Sequence, residues 1–204
     1  MRLLRCGADA VLVELGSLTE VAAARALLAG LPDVVDLVPA ARTVLVSFRP
    51  GSPSAAAVRP LLTSADLSVA PAVTGRPVVL PVVYDGPDLE LVAATAGVGV
   101  DAVVALHSGA EYTVAFTGFA PGFGYLTGLP PELHQPRLGT PRTRVPVGSV
   151  AVAGEFTGVY PRASPGGWRL LGRLAAGAEP LFDPHRTPAA LLAPGDTVRF
   201  EVTG

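Results

Sequence analysis

The sequence predicts an α+β protein in two parts, an N-terminal split-βαβ unit followed by a C-terminal β-barrel or sandwich. Three observations carry this. Hydrophobic periodicity alternates between strand and helix over the first 80 residues. The turn chemistry of Asp85-Gly86-Pro87-Asp88 interrupts it, and beyond Tyr112 the chain becomes short apolar runs punctuated by Gly and Pro. At 204 residues it can hold one domain or two small ones.

In order, Asp9–Leu15 is an apolar run of strand length, and Ser17-Leu-Thr-Glu20 is a capping box opening a helix through about Gly30. Val34–Pro39 and Thr43–Phe48, on either side of Ala40-Ala41-Arg42, read as paired strands, the second rich in β-branched residues. Ser54–Ser64 reads as a second helix that Pro60 kinks or delays. Pro77–Tyr84 is then a last strand or a linker, for an order β-α-β-β-α-β. The boundary falls near residues 75–86, with 1–80 as the first domain and 81–204 as the second.

The second part opens with a compact helical hairpin, Asp88–Ala96 closed by Gly97 and Asp101–Ser108 closed by Gly109, each with Asp at its start. Strands follow at Tyr112–Thr117, Ser149–Ala153, Gly158–Tyr160, Trp168–Gly172 and Thr197–Val202. No repeat of solenoid length is present.

Composition narrows the function. Half the residues are hydrophobic and 16% charged, which suits an ordered core and excludes disorder. No apolar run reaches the roughly 18 residues of a membrane span, and charge enters too early at the N-terminus for a signal peptide, so a soluble, cytoplasmic protein is expected. Cys6 is the sole cysteine, which excludes an intrachain disulfide and a thiolate metal cluster. A net charge of −2 argues against a nucleic-acid binder. All fifteen cationic residues are arginine, so neither a lysine Schiff base nor a phosphate-loop lysine is available.

Three segments invite chemistry. Thr117–Leu126 interleaves Phe119, Phe123 and Tyr125 with Gly118, Pro121, Gly122 and Gly124, a pattern that suits close backbone approach beside an aromatic wall, or rings filling the core under a tight loop. Arg137–Ser149 sets Arg137, Arg142 and Arg144 on a proline-stiffened stretch that ends at Gly148, and such guanidinium forks receive carboxylate, phosphate or a partner chain. Tyr160–Arg173 runs from Tyr160 through Gly166-Gly167-Trp168 into a strand. Between Arg137 and Arg173 there are six arginines and one acid, Glu155, an excess that suits an anionic ligand, an acidic partner or a solvated loop.

His107, at the end of a short helix near Glu111, can form a local pair suited to general base work, or can simply complement the helix C-terminus. His134 and His185 lack metal-ligand spacing, so no metal is expected.

Leu106-His107-Ser108, Gly118–Leu126, Thr140–Ser149 and Ser164–Arg169 together, with the ending Leu191–Phe200, resemble in order and spacing the allophanate hydrolase subunit 1 family, also called the 5-oxoprolinase B subunit or Kip-type kinase inhibitor family. The resemblance spans roughly residues 8–202, and departs where Leu174-Ala175 replaces the family's usual Thr-Pro. It implies a ferredoxin-like N-terminal domain and a cyclophilin-like β-barrel. It also implies a larger partner of the type of allophanate hydrolase subunit 2 or the 5-oxoprolinase C subunit, and a third protein of the type of the 5-oxoprolinase A subunit.

The activity implied is ATP-dependent opening of 5-oxoproline to glutamate, with ATP activating the lactam oxygen and water opening the ring. The alternatives are a role linked to allophanate hydrolase and urea carboxylase, or inhibition of a sensor histidine kinase. On this reading Arg142, Arg144, Gly122 and Gly167 meet developing charge, His107 shuttles a proton, and the remaining aromatic, glycine and arginine positions of the three segments bind ligand.

Overall fold

A computed structural model describes residues 1–69 and 75–203, which divide into two compact units, Met1–Val73 and Thr74–Gly204. The first contains strands β1 (Arg2–Arg5) and β2 (Ala10–Glu14), helix α1 (Leu18–Leu28), strands β3 (Val34–Pro39) and β4 (Thr43–Phe48), and helix α2 (Val58–Ser64). Its sheet has the order β1-β2-β4-β3, with every neighbouring pair antiparallel. Strands β2 and β3, joined through α1, are separated by β4, the split-βαβ arrangement.

The local signals act as their chemistry dictates. Ser17 Oγ accepts the Glu20 N–H at 3.2 Å, and the Glu20 carboxylate reaches back to the Gly16 N–H at 2.8 Å. Val44, Val46 and Phe48 alternate inward from β4 onto Val21, Ala24 and Leu28 of α1. Before Pro60 the chain passes through a 3-10 turn (Pro53–Ala57), so the proline falls in the first turn of α2, where no N–H is required of it.

Pro77–Tyr84 is not the last strand of this sheet. Its core is β5 (Pro77–Val83), which lies whole in the second unit and pairs there with two other strands. The edge is filled instead by β1, in register from Arg2↔Glu14 to Arg5↔Val11. A four-residue strand bearing two arginines carries no alternating apolar signal, yet charge and shortness suit an edge.

After β5 come helices α3 (Leu89–Ala96) and α4 (Val100–Gly109), bent by 91° to each other. Then follow β6 (Tyr112–Thr117), β7 (Gly124–Thr127), β8 (Arg142–Val145), β9 (Ser149–Ala153), β10 (Phe156–Val159), β11 (Ser164–Gly166), β12 (Arg169–Leu174) and β13 (Thr197–Val202). Seven strands close a barrel in the order β10-β7-β6-β13-β5-β12-β9, sealed by the β9–β10 hairpin, while β8 and β11 form a separate ribbon. Strand β13 runs parallel to β5, from Thr197↔Pro77 to Val202↔Val82.

Three expected helix signals are used differently. Asp101 lies inside the first turn of α4, whose N-cap is Gly99, and Gly109 is its final residue rather than the stop after it. Asp88 occupies the N-cap of α3 without capping it. No single helix among the described residues is long and apolar enough to cross a membrane.

Strand β9 is buried on both faces and so sets the place of the site. Val150 and Val152 point into the barrel with Leu80, Leu126, Leu171 and Phe200. Ala151 and Ala153 point outward, and over these small side chains lie Phe123, Tyr160 and Trp168 in a second apolar cluster. Period-2 alternation thus places an aromatic layer on the outside of the barrel wall.

Candidate functional site

The aromatic layer is assembled from three turns. Between β6 and β7 the Ala120 N–H donates to Gly118 O at 2.7 Å, closing a γ-turn around Phe119 at φ +66°, a conformation that costs energy for a bulky residue. The Phe119 ring is left 57% exposed. Gly122, at φ +84°, lets this turn seat on the following chain, because a Cβ there would stand 2.8 Å from Leu181 O.

Phe119, Phe123, Tyr125, Arg137, Tyr160, Gly166, Gly167 and Trp168 enclose a recess of about 100 Å³. Its rings meet edge to face, with Phe123 at 5.0 Å from Tyr125, 5.6 Å from Tyr160 and 5.4 Å from Trp168. Gly166 is required by close approach, since a Cβ would lie 2.3 Å from the Tyr160 hydroxyl. Burial pushes the Tyr160 phenol up, opposed by a backbone hydrogen bond at Trp168 and the Arg137 charge. Burial raises Tyr125 as well, again against Arg137. Both phenols therefore stay protonated at neutral pH and present O–H donors.

Beside the recess, and sharing Phe119 with it, runs an open groove of about 560 Å³ lined by Thr117–Gly122 and by Ala190 and Leu192–Pro194. Gly118, Pro121 and Gly122 face this groove rather than the recess. Gly148 lines neither. It turns the chain at φ +78°, and its N–H donates to Tyr160 O at 2.8 Å.

The arginine excess separates into distinct fates. Arg137 lines the recess, and among the described residues no carboxylate lies within salt-bridge distance of it. Arg142 is held by Asp88, Nη2 to Oδ1 at 2.7 Å, leaving its Nη1 buried without a partner. Arg144 and Arg162 are exposed, and Arg173 pairs with Asp85 at 2.9 Å. Arg169 is buried, its Nη1 donating to Gln135 Oε1 and, at 2.7 Å, to Thr95 Oγ1.

His107 does not join them. It is fully buried among the barrel-core rings, stacked on Phe200 at 4.5 Å. The Tyr84 hydroxyl meets Nδ1 at 2.7 Å, and Nε2 meets Thr157 Oγ1 at 2.9 Å. Because the Thr157 hydroxyl already donates to Ala151 O at 3.1 Å, it accepts from His107, so the imidazole carries its proton on Nε2 and takes the Tyr84 O–H on Nδ1. Burial lowers its pKa to about 3. The local His107–Glu111 pair does not form, and Glu111 faces Arg199 at 3.4 Å.

The chain matches the family model of the carboxyltransferase domain, subdomain C and D, over residues 1–192. It is 46% identical to the 5-oxoprolinase B subunit of Escherichia coli O157:H7 over 177 residues, 85% of this chain and 80% of that protein. The chain belongs to the family of 5-oxoprolinase B subunits.

Another 5-oxoprolinase B subunit, from Haemophilus influenzae, is 46% identical over 64% of this chain and 61% of its own length. Among solved structures, TTHA0988 superposes with a TM-score of 0.77 at 39% identity over 96% of this chain, which spans only 40% of that protein. The urea carboxylase of Kluyveromyces lactis, with a TM-score of 0.74 at 18% identity over 99% of this chain and 22% of its own, shares the fold. The family match over residues 1–192 takes in every residue that lines the recess.

Asp88, Thr157, Gln135 and the groove wall at Ala190 and Leu192–Pro194 are not legible in the sequence as site elements. Asp88 reads locally as a helix cap, but its partners Arg142 and Leu170 stand 54 and 82 positions away. No local pattern encodes such pairings.

Proposed function

We propose that this protein is the small subunit of a multi-subunit, ATP-dependent cyclic-amide hydrolase that opens 5-oxoproline to glutamate. It works with a larger protein of the type of the 5-oxoprolinase C subunit and a third of the type of the A subunit. The family supplies the reaction class, and the observation that carries the reading onto this chain is the recess. An aromatic wall, protonated phenols and one free arginine suit a small ring bearing an amide oxygen and a carboxylate.

In the reaction the Tyr160 hydroxyl donates a hydrogen bond to the amide oxygen. Phe123 and Trp168 pack against the apolar body of the ring and orient it, leaving its carbonyl carbon to the attacking water. Arg142, held by Asp88, adds positive potential behind Tyr160. Arg144, exposed on the ribbon, is available to a partner surface. His107 is given no proton-transfer role, because it is enclosed in the barrel core and neutral near pH 7.

ATP supplies the phosphoryl group that activates the amide oxygen, but neither cavity suits a nucleotide. The recess is far below the roughly 300–1,000 Å³ of sites for drug-sized ligands. The groove lining contains no cationic side chain to meet a triphosphate. Neither the recess nor the groove is therefore read as the nucleotide site.

The test is co-expression with the larger subunit and the third protein, followed by measurement of glutamate released from 5-oxoproline and ATP. Release from the assembled complex, and none when this chain is omitted, is expected. An assembled complex that releases no glutamate refutes the reading.

A further inference from the structure

We infer that this chain by itself binds a small carboxylate with a flat apolar body in the aromatic recess, and that Arg137 makes the carboxylate a requirement. The inference rests on the functional reading above in taking 5-oxoproline as the carboxylate to test.

The lining contains five aromatic rings and two glycines, and its only charged side chain is Arg137. Aromatic faces alone would favour a cation. No acid lines the recess to assist one, and Arg137 opposes it, so the electrostatics of the lining select an anion. The small volume selects a compact one.

Arg137 is placed for this by backbone rather than by an ion pair. On one side Gln135 exchanges hydrogen bonds with Gly154, at 3.3 and 2.7 Å. On the other, the Leu138 N–H donates to Gly167 O at 2.8 Å, which pins the arginine segment to the glycine turn of the recess. The guanidinium is left without a protein carboxylate among the described residues, whereas Arg142 is engaged by Asp88 and does not line the recess, so it cannot substitute for it. A guanidinium fork that meets a carboxylate in two parallel hydrogen bonds discriminates strongly against an isosteric neutral ligand.

The experiment is calorimetric titration of the purified full chain with 5-oxoproline and with 2-pyrrolidinone, the same lactam ring without its carboxylate. The emission of Trp168, the sole tryptophan, reports occupancy of the recess. In the wild type, 5-oxoproline is expected to bind at least about ten-fold more tightly than 2-pyrrolidinone and to change Trp168 emission. Arg137→Gln should weaken 5-oxoproline about ten-fold and leave 2-pyrrolidinone unchanged, and Arg137→Lys should restore part of the loss.

Equal affinity for the two lactams overturns the inference, as does an Arg137→Gln variant that weakens both ligands alike or neither. Failure of the chain alone to bind 5-oxoproline, while the assembled complex releases glutamate, also overturns it and leaves the functional reading intact. The expected binding pattern in a chain whose complex releases no glutamate does the reverse: the carboxylate site stands and the functional reading falls.

Discussion

Asp88 joins Arg142 at 2.7 Å through one carboxylate oxygen and takes the Leu170 N–H at 2.7 Å through the other. One side chain thereby ties the start of α3 to barrel strand β12 and to ribbon β8–β11, in which Arg142 faces Gly166. Asp88→Ala leaves a largely buried guanidinium and a buried N–H without their acceptor. A loss of about 3 kcal/mol is expected in urea unfolding, with weaker ligand binding because the ribbon carries Gly166. A loss below about 1 kcal/mol would mean that the pair is solvated.

His107 makes stability depend on pH. Its folded pKa of about 3 lies below the unfolded value near 6.5, so between these limits the unfolded chain binds the extra proton and stability falls as pH falls. The advantage of the wild type over His107→Gln should shrink by about 1.4 kcal/mol per pH unit from about pH 6.5 to pH 5. Parallel stability curves for the two proteins would contradict this burial.

Phe119 holds a positive φ that costs a non-glycine residue about 1–3 kcal/mol. Phe119→Ala and Phe119→Gly remove the same ring, but only glycine removes the strain. Against the usual order, Phe119→Gly should be the more stable of the two by about 1 kcal/mol in thermal unfolding. Both should weaken ligand binding, since the ring walls the recess.

Gly166→Ala drives a methyl group into the Tyr160 hydroxyl, which cannot withdraw because Tyr160 is only 2% exposed. Destabilisation by about 1–3 kcal/mol is expected, with at least ten-fold weaker binding of 5-oxoproline by the folded fraction. Gly139→Ala, which meets no atom within 4 Å, is the matched control and should bind as wild type does.

Strands whose two faces differ are legible in the sequence. Tyr112–Thr117, Thr43–Phe48 and Thr197–Val202 alternate against the core and announce their period. Strand β7 is hidden because Gly124–Thr127 continues a run of glycines and rings that reads as loop. Strand β1 is hidden because an edge exposes one side and admits arginine. In the site, Phe119, Tyr160 and Trp168 emerge only when two separate motifs are joined, whereas composition leaves each open to a packing role. Both roles are filled: Phe123 and Trp168 are core and wall at once.

By itself the sequence determined the α+β class, the capping box of α1, the aromatic and glycine segments, the family resemblance and the absence of any lysine for covalent or phosphate chemistry. Tertiary structure alone decided what the charged and titratable groups became. Arg142 is captured by an acid 54 positions away, Arg169 is buried against Thr95 and Gln135, and Arg137 alone among the recess residues keeps its charge available. His107, on a helix end that suggests exposure, is enclosed by rings from β6 and β13. The physical reason is common to all four. A local pattern specifies backbone conformation, but ionisation and pairing depend on which distant segments supply a partner to a side chain, exclude water from it or leave it open, and that is set by the tertiary fold.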